Sequence, residues 1–191
     1  MVAFMKLNDR IGRLEDLHCL RTEIDLRKAQ LDACRMDRLR DEMREQCAGL
    51  DDEVLQRLLD VGFSGQDLSA ITLAPLSVTA WASGSVSEQE CEQAMLAIFD
   101  SPLSGNVHAI EMYRGWLRNR PPEFLLDLWS DYMLATRDRH DEGQWRIEGE
   151  RLVRQAYRVA MASGGLLGFG KLCAAEQQIL DRIVSVCSLT D

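Results

Sequence analysis

The chain has 191 residues, 46% of them hydrophobic, with a net charge of −9. That is enough apolar material for a sizeable core, which excludes a wholly disordered chain, and the acidic balance argues against a nucleic-acid binder, whose phosphates demand a basic face. No apolar run reaches the ~18 residues that span a bilayer, and the opening MVAFMKLNDR lacks the basic-then-apolar order of a signal peptide, so a cytoplasmic location is expected.

Residues 1–50 carry ten Lys/Arg and ten Asp/Glu, so the whole negative charge lies beyond them. That remainder has the field to attract cations or a basic partner, or simply a soluble acidic surface. Residues 5–62 contain no proline and no aromatic and are rich in Leu, Arg, Asp and Glu, mostly good helix formers. Leu7, Ile11, Leu14, Leu17, Leu20, Ile24, Leu31 and Cys34 recur at steps that are mostly three, four or seven, with Arg27 breaking the stripe. The spacing predicts one long helix over about 6–47. It has two outlets: packing in cis, or pairing with a second chain as a short coiled coil and so a homodimer. The natural division is 1–48 for this helix and 49–191 for the rest.

In the remainder, Asp51 or Asp52 can cap a short helix that ends before Gly62, and Ser64 and Asp67 flank the next start. Leu76 to Ala82 reads as buried helix behind Pro75. Further helices are expected at Ser87 to Phe99, Leu103 to Leu117, Pro122 to Thr136, Trp145 to Ala162 and Ala174 to Cys187. DRHDEGQ, with His140, Asp141 and Glu142, reads as a solvated loop. No alternating strand stands out, so the fold class is all-α. The four tryptophans are assigned to packing. Six scattered cysteines without a C-x-x-C pair read as reduced apolar fillers rather than disulfide or zinc ligands.

Near the C-terminus, GGLLGFGKL holds Gly165, Gly170 and Lys171 at phosphate-loop spacing, but Leu172 stands where a Ser or Thr must reach the metal, and a helix rather than a strand precedes. The stretch has a closer analogue within the chain. GSVSEQE, Gly84 to Glu90, and GKLCAAE, Gly170 to Glu176, share a glycine, an apolar residue and a glutamate at the same spacing, 86 residues apart. Gly84 or Gly170 makes the turn, and Val86 or Leu172 plugs into the core. Ser87 or Cys173 caps the next helix, with Glu90 or Glu176 returning a bond in a capping box. Gly164 and Gly165 then end the preceding helix. The result is two weakly related helix-loop-helix units. Glu90 and Glu176 would also be the ligands of a hard-cation site if the two turns lay side by side.

PLSVTAWASGSVSEQE resembles the stretch PL-V-VAWADG-V---E of TerB-like proteins, named for tellurite-resistance protein B. RPPEFLLDLWSDY resembles the RP---L---W--Y of that family, and VAMASGGLLGFGKLCAAEQQIL its VA-A-GGFLG-G-KIS--E---L. The three motifs fall in order over about residues 50–188. The resemblance implies an all-α bundle of two related helical units, an association with stress responses and, in some members, with divalent metal ions. Two positions depart from it: Ser83 replaces the usual Asp, and Cys173 the usual Ser. The expectation is thus a non-catalytic interaction or stress-response module with a protein partner and no cofactor, the alternative being a divalent-metal sensor.

Overall fold

A computed structural model describes residues 2–46, 49–162 and 172–188. Among the described residues there are eight α-helices, three short 3-10 turns and no strand, so the chain is all-α. No described helix is long and apolar enough to cross a membrane. The chain divides into two units, residues 1–42 and 43–191.

The first unit is most of helix α1, Val2–Gln46. It runs this far because nothing from residue 5 onward breaks it: no proline intervenes, and charged residues favourable to helix fill the non-apolar positions. From His18 to Glu42, those side chains that are described lie exposed or at most half-buried.

The second unit begins on the last turn of α1, where Met43 is fully buried and Arg44 pairs with Asp52 at 2.6 Å. Helix α2, Asp52–Val61, starts at the Asp51 cap and stops at Gly62, whose φ of 96° is the left-handed conformation of a helix C-terminus. It buries Leu55, Leu58 and Leu59 on one stripe. A 3-10 turn, Leu68–Leu73, leads into α3, Ala74–Ala80, with Pro75 in its first turn.

Helix α3 is the centre of the domain. Ala74, Pro75, Leu76, Ser77, Thr79 and Ala80 are all buried, and α3 packs against α4, Glu88–Phe99; α5, Val107–Arg118; α6, Leu125–Thr136; α7, Glu142–Ala162; and α8, Ala174–Cys187. Buried hydroxyls need partners. Ser77 donates to the Ala74 carbonyl and Thr79 to that of Pro75, each at 2.8 Å. Helix α7 is the second hub, against α3, α4 and α8. Gly149 allows this: a Cβ there would lie 3.0 Å from Cys187 Cβ and 3.2 Å from its carbonyl oxygen. The 86-residue echo extends beyond the turns, because Ala70 and Ala74 stand 86 positions before Ala156 and Ala160, and all four are buried.

Helix α3 starts at Ala74 rather than Leu76 and ends at Ala80 rather than Ala82, and three later helix starts also differ from expectation. Helix α5 begins at Val107 because Pro102–Gly105 first forms a 3-10 turn, after which Asn106 caps the helix by accepting the Ala109 amide at 3.1 Å. Helix α6 begins at Leu125, after the two prolines have spent a turn with Leu125 N–H donating to the Pro122 carbonyl. Helix α7 begins at Glu142, inside the stretch read as a solvated loop: the Asp141 carboxylate accepts the amides of Gly143 and Gln144 at 3.0 and 3.2 Å, an N-cap, and His140 lies 5.6 Å from the Trp145 ring.

Candidate functional site

The two matching turns place a buried glutamate at the start of a helix twice over. In the first, Gly84 donates to the Trp81 carbonyl at 2.9 Å with φ at 98°, a conformation that strains any residue with a Cβ. Ser83 spends its hydroxyl on the Ser85 carbonyl at 3.0 Å, and Val86 is half-buried. Ser87 caps α4. Its Oγ accepts the Glu90 amide at 3.2 Å, while its own amide donates to Glu90 Oε2 at 2.7 Å.

The second turn repeats the pattern with sulfur. Cys173 Sγ accepts the Glu176 amide at 3.4 Å, and the Cys173 amide donates to Glu176 Oε2 at 2.6 Å. Leu172 is half-buried, like Val86. The expectations for Gly164, Gly165 and Gly170 lie outside the described residues. Glu90 and Glu176 are only 1% and 3% exposed, a depth at which a carboxylate needs compensation. The helix N-terminus and the capping amide supply it. Glu90 is compensated on one side only, since its Oε1 is buried without a hydrogen-bond partner.

A divalent ion needs several oxygens converging on one point. Glu90 and Glu176 each commit one oxygen to their own turn, Ser83 stands where the resemblance would put a carboxylate, and among the described residues no group of three or more His, Cys, Asp and Glu could hold a metal ion. Among the described residues, the oxygens these side chains present do not converge as such an ion requires.

The second unit holds two cavities of note, one of them away from the turns. One, of about 210 Å³, has Leu73, Leu103, Trp145, Glu148, Arg151 and Leu152 among its lining. The other, of about 240 Å³, is lined in part by Trp81, Arg120, Pro121, Glu123, Ala175 and Ile179, beside the start of α8. Their residues come from segments far apart in the chain, and those of the second all fall within the three stretches quoted above, 75–90, 120–132 and 159–180. Trp116, Trp129 and Trp145 are buried in packing, while the half-buried Trp81 donates its indole N–H to the Trp116 carbonyl at 2.8 Å. The indole nitrogens of Trp129 and Trp145 are buried without a partner.

Two other acids are buried in the second unit, one against α4 and one at the far end of α8. The Tyr113 hydroxyl donates to the Ala94 carbonyl of α4 at 3.2 Å, and burial, with Cys91 nearby, pushes its pKa well above that of an ordinary tyrosine. Burial likewise pushes the Cys187 thiol, at the end of α8, up to about 11. Both are held neutral, so neither is a ready nucleophile at neutral pH. Arg57 and Asp131, a half-buried pair at 2.7 Å joining α2 to α6, carried no signal in the sequence.

No model of a protein family, no curated protein and no solved structure matches this chain.

Proposed function

We propose that the chain is a TerB-like, non-catalytic helical module that acts in the cytoplasm as an interaction or regulatory element in tellurite or metal stress. The observation that carries this reading is the duplicated turn and capping box, which repeats the same four-atom pattern at Ser87/Glu90 and Cys173/Glu176. These are the stretches that resemble the family, and their buried glutamates spend an oxygen on architecture rather than aiming it at a substrate. The acidic domain displays surface charge for a partner, and the long N-terminal helix is the natural element to engage a protein, with a second copy of the chain as first candidate.

The test is growth of a host strain lacking the chain under tellurite and divalent-metal stress. Impaired growth, restored by the full chain but not by one lacking residues 1–42, is expected. Unaltered growth of the deletion strain under every stress overturns the assignment. Titrating calcium, magnesium, manganese and zinc against the melting temperature checks the metal-sensor alternative. The expected result is no rise, and a rise saturating with one ion would favour the sensor by mass action on the native state.

A further inference from the structure

The first unit, taken by itself, is a single helix, and a single helix cannot bury its own apolar residues. Leu20, Ile24 and Leu31 are 54%, 56% and 72% exposed, and Cys34 is exposed as well. Together with Arg27 they fall at 20, 24, 27, 31 and 34, in alternating steps of four and three. That is the heptad seam of a coiled coil, with Ile24 and Leu31 at a and Leu20, Arg27 and Cys34 at d. The exposed Leu26 lies off this seam. Arg27 interrupts it, but its guanidinium is drawn toward Glu23 Oε1 at 3.6 Å, which leaves the aliphatic stem to cover the seam.

The charges beside the seam sort by sign. The e positions hold Arg21, Lys28 and Arg35, and the g positions hold Glu23, Gln30 and Asp37. In a parallel, in-register pair each g residue meets the e residue five positions on in the partner. Glu23 then meets the partner's Lys28, Gln30 meets the partner's Arg35, and by sequence Asp16 and Arg21 stand in the same relation. The one repulsive pair is Asp37 with the partner's Glu42, beyond the last apolar seam residue. An antiparallel pair instead sets e against e and g against g, which turns the basic row on itself and Glu23 toward Asp37.

We propose that residues 20–34 join two copies of this chain as a parallel, in-register, two-stranded coiled coil. This rests on the reading of the N-terminal helix as an interaction element and adds occupant, direction and register. The seam is shorter than the three to four heptads of a robust coiled coil, so the dimer dissociates on dilution.

The test combines sedimentation of the full chain over about 1–200 µM, a range bracketing micromolar affinity, with mild oxidation by oxidised glutathione. Position d side chains face each other across a parallel seam, within disulfide reach. The expected result is a concentration-dependent dimer whose disulfide joins two Cys34 residues by peptide mass, each bond formed as one oxidised glutathione is reduced to two thiols. A mixture of E23K and K28E chains should form the heterodimer about tenfold more readily than either variant pairs with itself, since only the mixture restores both charge pairs. A dimer without the Cys34 linkage, or without heterodimer preference, overturns the parallel register and leaves self-association standing. A monomer at every concentration overturns the inference altogether and leaves the interaction reading dependent on a different protein.

Discussion

At Ser87 an oxygen accepts the Glu90 amide at 3.2 Å; at Cys173 a sulfur accepts the Glu176 amide at 3.4 Å. The return bonds, 2.7 and 2.6 Å, are nearly identical. What the two turns share is therefore the glutamate half of the box, while the capping atom is a good acceptor in one and a poor acceptor in the other. The buried surroundings explain which half matters. A glutamate at 1% or 3% exposure has no water to fall back on, whereas the cap side chains lie nearer the surface, Ser87 half-buried and Cys173 exposed.

The largest way to break the comparison is alkali, because the helices that follow the two turns each involve a buried acid, Tyr113 against α4 and Cys187 at the far end of α8, and the two differ in how far they resist. Cys187 closes α8 with a pKa raised from 9.0 to about 11. An acid raised on folding favours the folded state fully below its unfolded pKa, and that advantage is lost as pH climbs through the folded value. The window is therefore pH 9 to 11, and the thiol's share is about 2–3 kcal/mol. Urea unfolding at pH 8 and pH 11 should show the parent chain losing that much more than Cys187→Ala. Tyr113, behind α4, adds its own loss only above pH 10, so amides of α8 should lose exchange protection before those of α4.

Next in size are the glutamates. Glu176→Ala leaves the Cys173 amide without its acceptor and removes the charge from the helix start, at a cost of about 2 kcal/mol. Glu90→Ala does the same at Ser87 but also deletes an oxygen that is buried and unpartnered, which offsets part of the cost, so its loss should be smaller. Denaturant midpoints decide this. An equal or greater loss at Glu90 would mean that Oε1 is satisfied in solution.

Gly84 and Gly115 make a paired control of similar size. Neither would meet an atom within 4 Å if given a Cβ, but only Gly84 has positive φ. Gly84→Ala should cost about 1 kcal/mol from strain alone, while Gly115→Ala, inside α5, should gain about 0.5–1 kcal/mol from helix propensity. Thermal melts of the two variants should move in opposite directions.

Most of this architecture could be read from residue patterns. Ser-x-x-Glu before an apolar run names a helix start, Gly62 names a stop, and apolar periodicity places α2, α4 and α8 almost to the residue. Asp141 was missed because His140, Asp141 and Glu142 present three polar side chains in a row, and only the backbone picks out the one that accepts two amides. The prolines at 121 and 122 suggested a helix start three residues too early, since Pro suits a first turn but equally suits the turn before it. What no pattern could reach is three-dimensional: the approach of Gly149 to Cys187, the Arg57–Asp131 pair and the cavity beside Trp145 all join residues whose separation in the chain exceeds any local signal.

The smallest expected effect is the most specific to this chain. If the second box is the first with a weakened cap, Cys173→Ser should repair it. A hydroxyl accepts an amide proton better than a thiol and at shorter range. Because Cys173 is exposed, the change sacrifices no buried apolar contact, and the gain should be about 0.5 kcal/mol. The reciprocal Ser87→Cys should lose a similar amount, and both shifts should shrink when the partner glutamate is already alanine, since the cap still accepts the backbone amide but the box is no longer closed by the return bond. A double-mutant cycle with Glu176→Ala reads this coupling directly. Additive effects would mean that the cap and the glutamate act independently, and that the two turns share a spacing without sharing a mechanism.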